Sequence, residues 1–125
     1  MPSKLRLKRI ADRIQQEISE MLVTGRISDP RLDDLYITDV TVDRELSYAN
    51  IFVSALSGGD SCEAILDGLA HASGFLRSTL AKHIELRTFP QLRFFWDETP
   101  EKAERIESLI NSLSVEEIED DEQED

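Results

Sequence analysis

Few side chains in this sequence have both the type and the spacing that catalysis or metal binding requires. His71 and His83 lie twelve positions apart, and Cys62 is the only cysteine of the chain. A structural zinc site needs four ligands at short, paired spacings, so we expect no bound metal. The adjacent carboxylates Asp33-Asp34 and Asp97-Glu98 are more typical of caps or solvated charges than of an acid–base pair. We therefore expect a protein that is not an enzyme and needs no cofactor.

A different kind of chemistry, the binding of phosphate, is suggested by residues 72–74. Apolar residues recur at helical spacing from about Cys62 to Ile84, but Ala72-Ser73-Gly74 interrupts the pattern. Glycine costs about 1 kcal/mol relative to alanine inside a helix, and serine can divert backbone hydrogen bonds to its hydroxyl. We expect two helices that meet at a kink, the second beginning with free N–H groups that suit phosphate. A glycine that lets two elements pack closely explains the pattern equally well.

Basic side chains that could neutralise phosphates accompany this interruption. They lie on one side of a helical pattern near the N-terminus, on and after the helix that follows the interruption, and in a turn. The candidates are Arg6, Arg9, Arg13, Arg44, Arg77, Lys82 and Arg87. Each of them could instead form a surface ion pair of little energetic value. Phe94, Phe95 and Trp96 could stack on RNA bases, although core packing is the safer interpretation for most of them.

The distribution of charge bears directly on whether nucleic acid can bind. The net charge is −12, but residues 1–94 hold 12 basic and 13 acidic residues, whereas residues 95–125 hold 2 and 13. The acidity therefore belongs to the C-terminal quarter. Residues 114–125 contain too little apolar surface to order themselves, and we expect a disordered acidic tail after a single domain over residues 1–113.

Three helical patterns and three strands must position these residues. Ser3 and Gly25 suit the two ends of a first helix, and residues 37–42 and 48–55 form an antiparallel hairpin. Asp60 with Glu63 resembles a capping box at the start of the interrupted helix. A third strand puts Leu92, Phe94 and Trp96 on one face. We expect an α+β fold with a three-stranded sheet and helices packed on one face.

The last helical pattern begins at Thr99 and Pro100, which look like an N-cap and the first helical residue. We expect its apolar residues to face the core; they are Ile106, Leu109, Ile110 and Leu113. No run of apolar residues is long enough for a membrane span, and the N-terminus is charged, so we expect a cytoplasmic protein without a membrane partner.

Several motifs, in order, resemble bacterial ribosome-binding factor A. The longest covers His71 to Glu98, with Ala72-Ser73-Gly74-Phe75-Leu76-Arg77-Ser78 and Phe94-Phe95-Trp96-Asp97-Glu98; the others are Asp29-Pro30-Arg31-Leu32, Ile37-Thr38-Asp39-Val40 and Leu46-Ser47-Tyr48-Ala49. The similarity covers roughly residues 4–113. It implies a type II K-homology-like domain, in which an Ala-x-Gly kink at residues 72–74 replaces the usual Gly-x-x-Gly loop.

The resemblance also implies a function. Members of this family bind free or immature 30S subunits through 16S ribosomal RNA and assist late maturation, including processing of the 5′ end. They matter most in the cold, and subunit-assembly GTPases help to release them. Residues 72–74, Arg77, Lys82 and Arg87 fall on matching positions of the family. Glu85, Asn50 and Ser28 stand where the family often has a basic residue, which implies a weaker electrostatic footprint.

Two other classes of function stay open on the residues alone. We expect the protein to be a monomer. A protein–protein adaptor could instead bind a basic partner through the acidic C-terminal tail, with the body as a scaffold. A small hydrolase could use Asp97 and Glu98, although the sequence suggests no substrate for it.

Overall fold

The computed structural model describes the backbone of residues 2–124 and the side chains of residues 2–113. Helix α1 spans Lys4–Val23, strands β1 and β2 span Leu35–Val42 and Tyr48–Ala55, and helix α2 spans Cys62–His83. Strand β3 spans Gln91–Trp96 and helix α3 spans Thr99–Glu124. Short 3-10 turns precede β1 and α2. Among the described residues, no helix has the length and hydropathy needed to cross a membrane.

The sheet has the order β1-β2-β3, with β2 antiparallel to β1 and parallel to β3. The register places Val40, Ile51 and Phe94 in one row across the three strands. Their side chains point to the face covered by α1 and α2, where Ile51 and, from the helices, Ile14 and Leu76 are fully buried. The α+β prediction with a three-stranded sheet is confirmed, while the K-homology description stays an implication of the resemblance.

Capping and turn residues near each end determine where most of these helices and strands begin and end. Ser3 accepts a hydrogen bond from the Arg6 N–H at 3.1 Å, and Gly25 follows α1 with a φ of +73°. In the hairpin turn, the Asp43 carboxylate accepts hydrogen bonds from the Ser47 and Tyr48 N–H groups. The expected capping box at the start of α2 is wrong, because Asp60 lies in a 3-10 turn and Ser61 precedes the helix without a side-chain cap.

Helix α3 departs from the prediction that its apolar residues face the core. Ile106, Leu109, Ile110 and Leu113 are each more than half exposed, between 55% and 64%. The reason is that α1 and α2 already cover most of the helix-side face of the sheet, and the described part of α3 does not pack extensively against any other helix or strand. The side chains of residues 114–125 lie outside the described part, so the boundary of an acidic tail at residue 114 stays a prediction.

Candidate nucleic-acid interface

A groove runs between helix α2 and the outer edge of strand β3. Its volume is about 370 Å³. The helix contributes residues at i, i+4 and i+7 spacing, which share one face of an α-helix. They are Leu66, Ala70 and Ser73, and the strand contributes Leu92, Arg93, Phe94 and Phe95. The groove thus has a mainly apolar floor, with one hydroxyl group and one cation at its border.

Strand β3 also offers unpaired backbone groups along this groove, because it is an edge strand. The Gln91 N–H donates to Ser47 at 2.9 Å and the Asp97 N–H donates to Val53 at 2.7 Å, both toward β2. Peptide groups alternate in direction along a strand, so those of Leu92 and Phe94 point away from β2. An apolar floor beside free N–H and C=O groups can accept a nucleobase by contact with its ring and by hydrogen bonds to its polar edge.

Residues 72–74 do not interrupt the helix that contains them. Helix α2 is continuous from Cys62 to His83, so the expected second N-terminus with free N–H groups is absent. The cost of Gly74, about 1 kcal/mol, is too small to break a helix whose two halves are held by the fully buried Leu69 and Leu76. Ser73 lines the groove and Ala72 packs against the core, while Gly74 is exposed.

The close-packing role considered for Gly74 belongs to another glycine. A Cβ atom at Gly74 would meet nothing within 4 Å, whereas one at Gly68 would lie 3.1 Å from Leu32 Cδ2 and 3.3 Å from Asp29 Oδ2. Gly68 thus lets α2 approach the turn that holds Leu32. The sequence signal for it was the buried face of α2, on which Gly68 and Leu69 lie side by side.

The side chain of Arg77 forms hydrogen bonds within the protein. Its Nη2 donates to the Phe89 carbonyl at 2.6 Å and its Nε donates to the Pro90 carbonyl at 3.1 Å. Arg77 and Lys82 were expected on a common polar side, but five residues turn an α-helix by about 140° beyond a full turn. Arg77 therefore reaches the two residues that precede β3, while Lys82 is exposed on another side of α2.

Helix α1 approaches the C-terminal end of α2, not residues 72–74. Arg13 donates to the Glu17 carboxylate at 3.2 Å and reaches the His83 carbonyl at 3.5 Å. His83 Nδ1 in turn lies 3.1 Å from Glu17 Oε2. Arg6 and Arg9, on the same side of α1, are exposed and form no ion pair within the described residues. The structure thus brings Arg13 to the C-terminal end of α2, where Lys82 precedes His83 in the chain, and leaves Arg6 and Arg9 without an ion pair among the described residues.

The two remaining predicted residues lie in loops. Arg44 is exposed in the β1–β2 turn and Arg87 is exposed between α2 and β3. Neither lines the groove. Sequence reasoning missed Arg93, which borders the groove and whose signal was its alternation with Leu92 and Phe94 along β3.

Asp97, one of the carboxylates considered for catalysis, has structural partners. The Thr38 hydroxyl donates to Asp97 Oδ2 at 2.6 Å, and the Thr99 N–H donates to Asp97 Oδ1 at 2.9 Å. The Thr38 hydroxyl foremost, together with Thr99, holds the pKa of Asp97 below its usual value, and the bond to the Thr99 N–H makes this carboxylate a cap at the start of α3. Among the described residues, no group of His, Cys, Asp and Glu side chains could hold a metal ion.

A larger and more open concavity, of about 690 Å³, lies between the loop at residues 57–60 and helix α3. Asp60, Glu101 and Glu104 line it. These three carboxylates outnumber the single cation that lines the cavity, Arg105, so the net negative charge disfavours phosphate in spite of the size of the cavity. The groove at β3 is therefore the better candidate for nucleic acid.

Known proteins similar to this chain share one description, that of a ribosome-binding factor A. A family model described as Ribosome-binding factor A matches residues 6–110. Ribosome-binding factor A of Alcanivorax borkumensis is 44% identical over 115 residues, which cover 91% of this chain and 83% of the relative. A solution NMR structure of a Thermotoga maritima protein described as a ribosome binding factor A has a TM-score of 0.64 at 26% identity and covers 76% of this chain and 90% of that protein.

A further structure is similar in fold. It is a homology model of Thermus thermophilus ribosome binding factor A, fitted into a cryo-EM map of its complex with the 30S subunit. The TM-score is 0.51 at 23% identity, and the match covers 69% of this chain and 93% of that one.

Proposed function

The chain belongs to the ribosome-binding factor A family, and from this membership we propose that it binds the free or immature 30S subunit through 16S ribosomal RNA. In this proposal it assists the late maturation of the subunit, including processing of the 5′ end of 16S RNA. It acts in the cytoplasm as a monomer, without catalysis, and subunit-assembly GTPases promote its release.

The single observation that best supports this proposal is the groove between α2 and β3. Its floor of Leu66, Ala70 and Phe94 suits the ring of an unpaired base, and the outward peptide groups of β3 suit its polar edge. Sequence-specific recognition of RNA mostly uses such unpaired bases, because the grooves of an RNA helix expose little base information.

Phosphate contacts then fix the position of the RNA on the protein. Arg9 and Lys82 are exposed cations without a described ion-pair partner. Arg13 lies at the contact of α1 with α2 and is partly neutralised by Glu17. Residues 1–94 have a net charge near zero, with 12 basic and 13 acidic residues, so affinity depends on where the cations lie and not on total charge.

A binding factor of this kind acts on an RNA folding equilibrium. It favours one conformation of the RNA only as far as it binds that conformation more tightly than the others. A rigid scaffold serves this purpose, because the groove is built on a helix and a strand of the core and not on loops.

The proposal is tested by sedimentation of the full-length protein with purified free small subunits and, separately, with whole ribosomes. We expect comigration with free small subunits that weakens as salt is raised, since RNA contacts release counterions. Absence of comigration with either particle at low salt would contradict the proposal.

The exposed apolar residues of α3 favour a second candidate, a protein–protein adaptor. Leu109 is 64% exposed, and the helix continues into the acidic residues after 114. Deletion of residues 114–125 separates the two functions. An adaptor loses its basic partner, whereas an RNA-binding protein keeps its affinity for RNA or gains some, because repulsion of the phosphates is removed.

A further inference from the structure

The face of the sheet that is turned away from α1 and α2 carries aromatic side chains that are partly exposed within the described residues. At one end of this face Ser54 is fully buried and lines a cavity together with Pro100 and Glu101 at the start of α3. Alternation along β2 and β3 directs Tyr48, Asn50 and Phe52, and across from them Gln91, Arg93 and Phe95, to this face. Tyr48 is 40% exposed and Phe95 is 41% exposed. We name these six residues the open sheet face.

A fixed cation lies in the middle of the open sheet face. The Arg93 guanidinium is 3.9 Å above the centre of the Tyr48 ring, and its Nε donates to Asn50 Oδ1 at 2.9 Å. The Asn50 amide donates in turn to the Thr41 hydroxyl at 3.3 Å. This chain of contacts crosses all three strands in register and holds the guanidinium over the ring. The other NH groups of Arg93 are left to donate to a ligand.

A second aromatic surface lies next to it along the strands. The rings of Phe52 and Phe95 are 5.5 Å apart with an angle of 27° between their planes, which is a stacked arrangement. Tyr48 and Phe52 are four residues apart on β2, which corresponds to about 13 Å. Planar groups therefore occur at two places along the face, and the Arg93 cation lies over the ring at one of them, Tyr48.

The charge and composition of the face favour RNA over a protein partner. Its six residues include one cation and no carboxylate. The nearby Asp43 carboxylate is occupied by two backbone N–H groups, and Asp39 lies on β1, with strand β2 between it and Arg93. Aliphatic side chains, which contribute much of a protein interface core, are absent from these six positions. Aromatic rings beside a guanidinium are what single-stranded nucleic acid uses for base stacking and phosphate contact.

The face is also continuous with the candidate groove. Arg93 and Phe95 line the border of the groove and belong to the open sheet face as well. An RNA strand with a base in the groove can therefore cross the edge of β3 and continue over the sheet.

We propose that the open sheet face is a second RNA-binding surface, on which unpaired bases stack against Tyr48 and Phe95 while Arg93 contacts a phosphate. It rests on the proposed function for the class of ligand, but it uses the face of the sheet opposite to the helices. It also predicts a contact with Tyr48, which does not line the groove, whereas Arg93 and Phe95 are shared by the two surfaces.

The test measures the affinity of the full-length protein for a single-stranded oligouridine and for an abasic ribose-phosphate oligomer of the same length. We expect the Tyr48→Leu and Phe95→Leu variants to bind oligouridine at least about fivefold more weakly, since each stacked base contributes at least that factor. Their affinity for the abasic oligomer should be unchanged. Phe75→Leu is the matched control, because Phe75 is 50% exposed on α2 and distant in sequence from the sheet.

Arg93→Gln should lower the slope of log affinity against log salt by about 1, as the loss of one phosphate contact does. If Tyr48→Leu and Phe95→Leu bind oligouridine as tightly as the native protein while Ala70→Glu, in the groove, weakens binding, the inference about the open sheet face is wrong and the proposed function stands. Such a result would assign the face to a protein partner. If the native protein binds neither RNA nor small subunits, the proposed function itself fails.

Discussion

Arg77 Nη2 donates a hydrogen bond of 2.6 Å to the carbonyl oxygen of Phe89, which is buried two residues before strand β3 begins at Gln91. This contact ties the middle of α2 to the strand that forms the other wall of the groove. Arg77 was predicted to contact RNA, but its guanidinium is engaged by the fold. Its effect on RNA binding is therefore expected to act mainly through the position of β3.

Replacement of Arg77 should destabilise the protein. Arg77→Gln removes charge-assisted hydrogen bonds to two main-chain carbonyls, and we expect a loss of about 1–3 kcal/mol in the free energy of unfolding. Lys82→Gln, on an exposed side of the same helix, should change it by less than about 0.5 kcal/mol. Urea denaturation followed by circular dichroism measures both. Equal stability of the two variants would mean that the carbonyl contacts contribute nothing.

The two glycines of α2 should respond differently to the same substitution. Gly74→Ala places a methyl group in open space within a helix and should stabilise the protein by about 0.5–1 kcal/mol. Gly68→Ala brings Cβ within 3.1 Å of Leu32 Cδ2, and the resulting strain should outweigh the gain in helix propensity. Thermal denaturation of both variants tests this order. A destabilised Gly74→Ala variant would show that the helix needs glycine at 74 after all.

The Thr38–Asp97 contact should make stability depend on acid pH. Because the pKa of Asp97 is lowered in the folded protein, the stabilisation is complete above its usual value of 3.8 and is lost as the pH falls through the folded value. Thr38→Val should therefore destabilise the protein most at neutral pH, and its deficit should shrink below about pH 4. Urea denaturation at several pH values measures this, with Thr88→Val, at an exposed loop position, as the control. A deficit that is independent of pH would contradict the assignment.

The groove should be sensitive to an added carboxylate. Ala70→Glu puts a negative charge among the groove residues at an exposed helix position, so RNA binding should fall at least tenfold while stability changes little. Ala64→Glu makes the same change at an exposed position on α2 that does not line the groove. Filter binding to ribosomal RNA of the small subunit compares them. Equal losses would point to a general electrostatic effect and not to the groove.

Much of the fold follows from local pattern. The alternation of inward and outward residues correctly predicted both ends of β2, at Tyr48 and Ala55. Ser3 and Gly25 marked the two ends of α1. Such signals lie within a few residues of the feature they define, so a single sequence is enough to read them.

The features that sequence missed depend on contacts distant in the chain. The parallel pairing of β3 with β2 joins residues more than forty positions apart, such as Tyr48 and Gln91. The continuity of α2 through Gly74 depends on the burial of Leu76 and Leu80 against the sheet. The partners of Arg77 depend on where the chain returns at Phe89, and the exposure of Leu109 depends on the sheet being already covered. Helix and strand propensity and the spacing of apolar residues do not show which of these distant contacts form.

The most direct test of RNA binding by the folded body is the salt dependence of the affinity for free small subunits. The native protein and the Arg9→Glu/Lys82→Glu double variant are compared by equilibrium sedimentation binding across a salt series. RNA binding through these cations predicts that log affinity falls linearly with log salt and that the variant has a slope smaller by about 1.5, since each phosphate contact contributes about 0.7–0.9. An affinity independent of salt, or the same slope in both proteins, would contradict it.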